Sequence, residues 1–202
     1  MFTYLFVLIF LYILEFHREK SFLLPIIAVF WMNLHGVVYP LMLLIIFAYL
    51  IEVIYRIKRE GRKIQKSDLH VIAPLIITMG AVYATPHGTR LTWMPFVPTG
   101  FASLYIQELQ PFVFSELFSF TFTKFCPSFP SMFNILLMLT VVFFIILVGT
   151  KSLRISHLIL LIGGTVLLLK GTRFKYEFML LAMPTMRASF LVLSAGYVKK
   201  LL

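Results

Sequence analysis

The sequence predicts an all-α fold, a polytopic transmembrane bundle of about seven spanning helices within a single helical domain over residues 1–202. Three observations carry that expectation. The chain is 60% hydrophobic and 13% charged, whereas soluble domains run at roughly half apolar and a quarter charged. Its apolar residues come in long runs rather than in alternation with charge, and mean hydropathy is +0.96. A soluble domain of this size would lack the polar residues to cover its surface. Finally, its cations sort between alternate loops, as membrane topology requires.

A spanning helix needs about 20 apolar residues. The candidates are 1–16, 21–35, 37–56, 70–86, 132–150, 155–170 and 176–198. The first is apolar from Met1, with neither a basic start nor a small-residue cleavage site, so it does not read as a cleavable signal peptide. The first, second and sixth are short and are expected to tilt less or to borrow residues from adjoining loops. Pro25, Pro40, Pro74 and Pro184 fall within or at the ends of helices. Membrane helices tolerate them where neighbouring groups satisfy the freed carbonyls. Gly163-Gly164 in the sixth helix points to close helix contact rather than chemistry.

The formal net charge is +10, which in a soluble chain would raise nucleic acid as a partner. Here it reads as topology, and no nucleic acid is expected. Arg18, Lys20, Arg56, Lys58, Arg59, Arg62, Lys63, Lys66, Lys151, Arg154, Lys199 and Lys200 fall on one side if the helices alternate. The other side receives Arg90, Lys124, Lys170, Arg173 and Lys175, with Arg187 inside the last helix. The positive-inside rule makes the first group cytoplasmic. The chain then starts outside and ends inside, as suits the later part of a longer protein. Glu52 lies one turn before Arg56, an i,i+4 pair. His70 and His157 read as interfacial on the cytoplasmic side. The single cysteine, Cys126, makes no internal disulfide, and no Cys/His group has zinc spacing. No metal site and no cofactor is expected; a divalent cation is compatible with the sequence but not indicated by it.

The longest outer connection runs from about His87 to Ser131, too long to be structureless in a compact protein. Phe114, Leu117, Phe118, Thr121, Phe122 and Phe125 fit a helical stripe, which favours a helix lying in the interface. Packing against the bundle fits the same period, and a strand fits Phe118, Phe120 and Phe122.

Unusual polar residues gather on the outer side in four clusters: 31–36 (WMNLHG), 85–90 (TPHGTR), 106–111 (IQELQP) and 170–175 (KGTRFK). Asn, His or Glu at membrane depth is costly unless paired or wetted, so four such clusters on one face could line a polar cavity. Each has a plainer reading. Asn33 and His35 can bond carbonyls at a helix end, and Thr85-Pro86-His87-Gly88 is a turn. Glu108 and Gln110 can be solvated loop residues, and Arg173 and Lys175 can reach headgroups without specificity. The outer cations equally suit an anionic partner such as a lipid phosphate. Glu108 is the strongest candidate base if outer-face acid–base chemistry occurs. No P-loop, dinucleotide turn, zinc motif or nucleophile elbow is present.

At these clusters the chain resembles the later half of bacterial polytopic glycosyltransferases of the GT-C type, the group that includes the dolichyl-phosphate-mannose-dependent protein mannosyltransferases. A Trp-x-Asn-Leu-His-Gly-Gly segment of that group is matched by Trp31, Asn33, Leu34, His35 and Gly36, with Val37 at the second glycine. An Asn-Pro-Tyr-Gly-x-Arg segment resembles 85–90, departing at Thr85 and His87. A Glu-Trp-Gln-Pro segment is matched by Glu108, Gln110 and Pro111 but not Leu109. An Arg precedes a proline-containing helix, as Arg173 precedes Pro184.

The resemblance implies a multi-pass protein of the bacterial inner membrane that transfers sugar from a polyprenyl-phosphate donor on the outer face. Arg173 and Lys175, with Arg90, would hold the donor phosphate. Asn33 and His35 would orient sugar or phosphate oxygens, His87 would be a further substrate-binding residue, and Glu108 and Gln110 would shape the acceptor side. One departure matters. The group carries its catalytic acid in the first outer loop, and the acids before Trp31 are Glu15 and Glu19, both expected on the cytoplasmic side. The chain therefore reads as a fragment, a split product needing a partner membrane subunit, or an inactive relative. A non-enzymatic assembly or scaffold subunit is the alternative. A transporter or flippase ranks last, because no inverted repeat is visible.

Overall fold

The computed structural model describes residues 2–86, 88–90, 115, 118, 120–121 and 128–201. Among them every regular element is helical. Seven α-helices occur among the described residues: α1 (Phe2–Phe16), α2 (Leu24–His35), α3 (Tyr39–Arg59), α4 (Lys66–Met79), α5 (Phe129–Gly149), α6 (Ile155–Lys170) and α7 (Lys175–Leu201). The chain divides into two compact units, Met1–Thr99 and Gly100–Leu202.

Each of the seven apolar runs forms a helix, and among the described residues three helices are long and apolar enough to cross a membrane: α3, α5 and α7. The seven full-length spans expected from the sequence are thus not all present. The reason is length. At about 1.5 Å per residue, α1 (15 residues), α2 (12), α4 (14) and α6 (16) fall short of a hydrocarbon core of about 30 Å.

In the first unit, four bonds fix the direction of each helix. Thr3 at the start of α1 shares a hydrogen bond with His35 at the end of α2. Asn33 Nδ2 donates to Ala84 O just beyond α4 (3.1 Å). At the opposite end, Arg18 after α1 donates to Glu52 near the end of α3 (2.9 Å), and Ser21 before α2 donates to His70 O near the start of α4 (2.8 Å). The four helices therefore run alternately up and down.

The helix ends follow local chemistry. Pro25 and Pro40 occupy the first turns of α2 and α3, where a missing N–H costs nothing. Residues 18–23 form a 3-10 segment before α2. α4 starts four residues before the expected position because Gln65 and Asp68 form a capping box, with Gln65 N donating to Asp68 Oδ2 (2.9 Å). Pro74 sits inside α4. Its ring nitrogen cannot donate to the carbonyl four residues back. That carbonyl belongs to His70, and the hydroxyl of the fully buried Ser21 donates to it instead.

In the second unit, α5 and α6 both pack along α7. Gly164 lets α6 approach it. A Cβ at that position would lie 3.2 Å from the Phe178 ring and 3.4 Å from a Leu181 methyl. The core joins Phe133, Leu161, Leu168, Phe178 and Ala182. Hydroxyls in these apolar helices turn back on their own backbone: Thr140 Oγ1 donates to Leu136 O and Thr165 Oγ1 to Leu161 O, each at 2.8 Å. Ser189 Oγ donates across to Phe143 O of α5 (2.9 Å). His157 is fully buried in the first turn of α6.

Candidate functional site

The first unit brings two of the polar clusters together. Trp31 is fully buried between two aromatic rings of α1. It stacks on Phe6 (centroids 5.7 Å, 10°) and meets Phe10 edge-on (5.3 Å, 73°). Its Nε1 has no hydrogen-bond partner among the described residues. Two positions on, Asn33 is exposed, and its amide donates to Val29 O (2.8 Å) as well as to Ala84 O. His35 is exposed and tied to Thr3. This segment thus joins α2 to α1 and to the end of α4.

The Ala84 bond brings the TPHGTR turn to the same end of the unit. There Thr85 Oγ1 donates to Val82 O (3.3 Å), Gly88 adopts a φ of +47°, and Arg90 is exposed. Arg90 follows Ala84 by six residues. His87, Glu108 and Gln110 lie outside the described residues, as does almost all of the phenylalanine-rich stretch 112–125.

The second unit holds the remaining cations. Arg173 lies in the 3-10 turn Thr172–Phe174 that joins α6 to α7. Lys175 opens α7, with its ammonium 5.4 Å from the centre of the Phe133 ring of α5, a cation–π distance. That contact sets the first turns of α5 and α7 side by side. The same turns bury Asn134 (3% exposed) and Glu177 (8%). Both escaped emphasis in the sequence, Asn134 because it sits within a long apolar run.

A groove of about 350 Å³ opens between α5 and α6 over α7. Its walls are apolar: Val141 and Phe144 from α5, Leu158 and Ile162 from α6, and Phe178 from α7 beneath. Phe178 follows Lys175 by three residues, one turn along the same helix face and about 4.5 Å along the axis. A cation and an apolar trough are thus successive features of α7. Such a pair can accept an anion carrying a long apolar tail.

A second charged constellation was only half legible in the sequence. Glu52 is 6% exposed, and its Oε1 accepts from both Arg56 Nη2 and Arg18 Nη2, each at 2.9 Å. Arg18 also donates to Leu14 O (2.9 Å) and lies 6.0 Å from the Tyr49 ring centre. The Tyr49 hydroxyl donates to Glu15 Oε1 (2.7 Å). The Glu52–Arg56 spacing foretold one bond of this set. The Arg18–Glu52 and Tyr49–Glu15 bonds join residues 34 apart. The one advance signal was that topology assigned Arg18 and Arg56 to the same side. Among the described residues no group of three His, Cys, Asp or Glu side chains could hold a metal ion.

Compared with known proteins, the chain matches no family model, no curated protein and no solved structure.

Proposed function

We propose that the chain is a multi-pass membrane protein of glycosyltransferase type that binds a polyprenyl-phosphate-linked sugar. The observation that supports this most is the succession of Lys175 and Phe178 on α7, a cation one helical turn from a ring that lines an apolar groove. In this reading the phosphate sits at the start of α7 on Lys175 and Arg173, and the prenyl chain follows the groove beneath α5 and α6. The negative charge of the phosphate is drawn to cations held where lipid lowers the local dielectric. By the resemblance, Asn33, His35, His87 and Arg90 are further substrate-binding residues. Glu108 serves as the base toward an acceptor shaped by Gln110. The four short helices complete their crossing with the adjoining 3-10 segments, so that the protein spans the bacterial inner membrane several times.

A second reading has its own support. Asn33 and His35 are both engaged in bonds that join helices. That suits a non-enzymatic assembly subunit, and it too can bind the lipid.

The test is binding of polyprenyl phosphate to the purified chain in nanodiscs, with simple anionic lipids as controls. Selective binding is expected, falling about tenfold in Lys175→Ala and in Arg173→Ala, and falling also in Ile162→Trp, which fills the groove. Binding no better than that of simple anionic lipid, or unchanged in the folded variants, refutes the proposal. Given binding, transfer of sugar to an acceptor separates the enzyme from the assembly subunit.

A further inference from the structure

The connection between α3 and α4 carries the densest charge in the chain: Arg56, Lys58, Arg59, Arg62, Lys63 and Lys66 against Glu60 and Asp68. It is a built turn. Glu60 N donates to Arg56 O (3.0 Å) and Gly61 N to Lys58 O (3.2 Å), and Gly61 takes the left-handed conformation (φ +61°) that a glycine tolerates. Arg62 then crosses the turn. It donates to both oxygens of Asp68 (2.5 and 2.9 Å) and also to Glu60. One arginine thereby neutralises both acids of the connection, while Arg56 is held by Glu52.

Lys58, Arg59, Lys63 and Lys66 remain. All four are exposed, and none has an ion-pair partner among the described residues. Apolar side chains are interleaved with them: Ile64 is 60% exposed, Leu69 50% and Tyr55 48%. A turn made to meet only water has no use for an exposed isoleucine between two lysines. The mixture fits the boundary of a bilayer, where Ile64 and Leu69 enter the acyl region while the ammonium groups stay with the phosphates.

From this arrangement we infer that the α3–α4 turn is a binding site for anionic phospholipid headgroups. The turn caps α3, a helix long and apolar enough to cross the membrane, so the cations lie at headgroup level without further rearrangement. The Arg62–Asp68–Glu60 clamp keeps the acids away from the lysines. It thereby keeps four positive charges available to phosphate, where clusters of this size bind anionic lipid. The site lies at the Arg18–Glu52 end of the first unit, opposite the Asn33 end, and does not depend on the proposed sugar-lipid site.

The test uses the whole chain in nanodiscs of mixed phosphatidylglycerol and phosphatidylcholine, with native mass spectrometry reading which lipids stay bound. The wild type is expected to retain phosphatidylglycerol above its share of the bilayer. Lys58→Gln/Lys63→Gln/Lys66→Gln should lower that enrichment about tenfold. The charge-matched control Lys20→Gln/Lys151→Gln/Lys170→Gln should lower it less than twofold. If the triple variant does not fold, Lys63→Glu alone serves the same arm. Equal loss in both triples would overturn the inference, since any cations would then do. No enrichment in the wild type would overturn it as well. So would displacement of the lipid by a short oligonucleotide at low concentration, which would make the turn a nucleic-acid site.

Discussion

Removing the Ser21 hydroxyl tests how α4 tolerates a proline in its interior. Pro74 leaves His70 O without its helical donor, and Ser21 Oγ replaces it at 2.8 Å. Ser21→Ala strands that carbonyl. An unsatisfied buried acceptor costs about 1–3 kcal/mol. The His70 side chain is exposed and the bond only part-buried, so water reaches the carbonyl in part and the lower end applies, about 1–1.5 kcal/mol, or roughly tenfold in the folded-to-unfolded ratio. The diagnostic comes from a second change. Pro74→Ala restores an N–H that can donate to His70 O. In that background Ser21→Ala should cost less than about 0.5 kcal/mol. The four proteins form a double-mutant cycle, read by denaturant titration in mixed micelles, with an expected coupling of about 1 kcal/mol. An equal cost of Ser21→Ala in both backgrounds would refute the reasoning and leave Ser21 as a small residue that merely fits its site.

Glu52→Ala removes the carboxylate shared by Arg18 and Arg56 and should destabilise by about 3 kcal/mol, whereas Arg56→Ala, at a half-exposed guanidinium, should cost less than about 1 kcal/mol; similar values in the same micelle titration would contradict the burial argument. At Gly164, valine should lower stability by about 1–3 kcal/mol, because its Cβ already meets the Phe178 ring at 3.2 Å. Alanine there should be near neutral, since its gain in helix propensity offsets the contact; thermal unfolding distinguishes the two. The Asp68 carboxyl is held down to about 2 by its bonds to Arg62 and then to the Gln65 backbone. Its contribution to the α3–α4 turn is therefore fully present above the ordinary aspartate range and lost as pH falls through about 2. Proteolysis of the turn by pepsin should accelerate between pH 4 and 2 in the wild type and be flat in Asp68→Asn.

The sequence determined the helices and roughly where they lie. Apolar runs mark all seven, and for α6 both ends agree, because a run bounded by Arg154 and Lys170-Gly171 has unambiguous limits. Pro25, Pro40, Pro74 and Pro184 were placed within or at the ends of helices, without distinction, and the structure puts Pro25 and Pro40 in first turns, where the missing donor costs nothing. Glu52–Arg56 was legible because four residues is one turn, whatever the rest of the chain does. Short-range signals can also be overlooked, as the Gln65–Asp68 box was, and α4 was placed four residues late as a result.

What tertiary structure alone decided are the bonds between distant residues. Arg18 to Glu52, Ser21 to His70 and Asn33 to Ala84 join positions 34, 49 and 51 apart. No periodicity encodes them, because each depends on which helix faces pack and in what register. The polar motif around Asn33 could be read from sequence as lining a cavity or as closing a helix. Its amide bonds two carbonyls, one of them on another helix segment. The groove over Phe178 likewise exists only because α5 and α6 both choose α7 as their partner and leave a gap between themselves. Burial of apolar runs dictates that helices form and associate; the fit of side chains, as at Gly164 against Phe178, decides which surfaces meet.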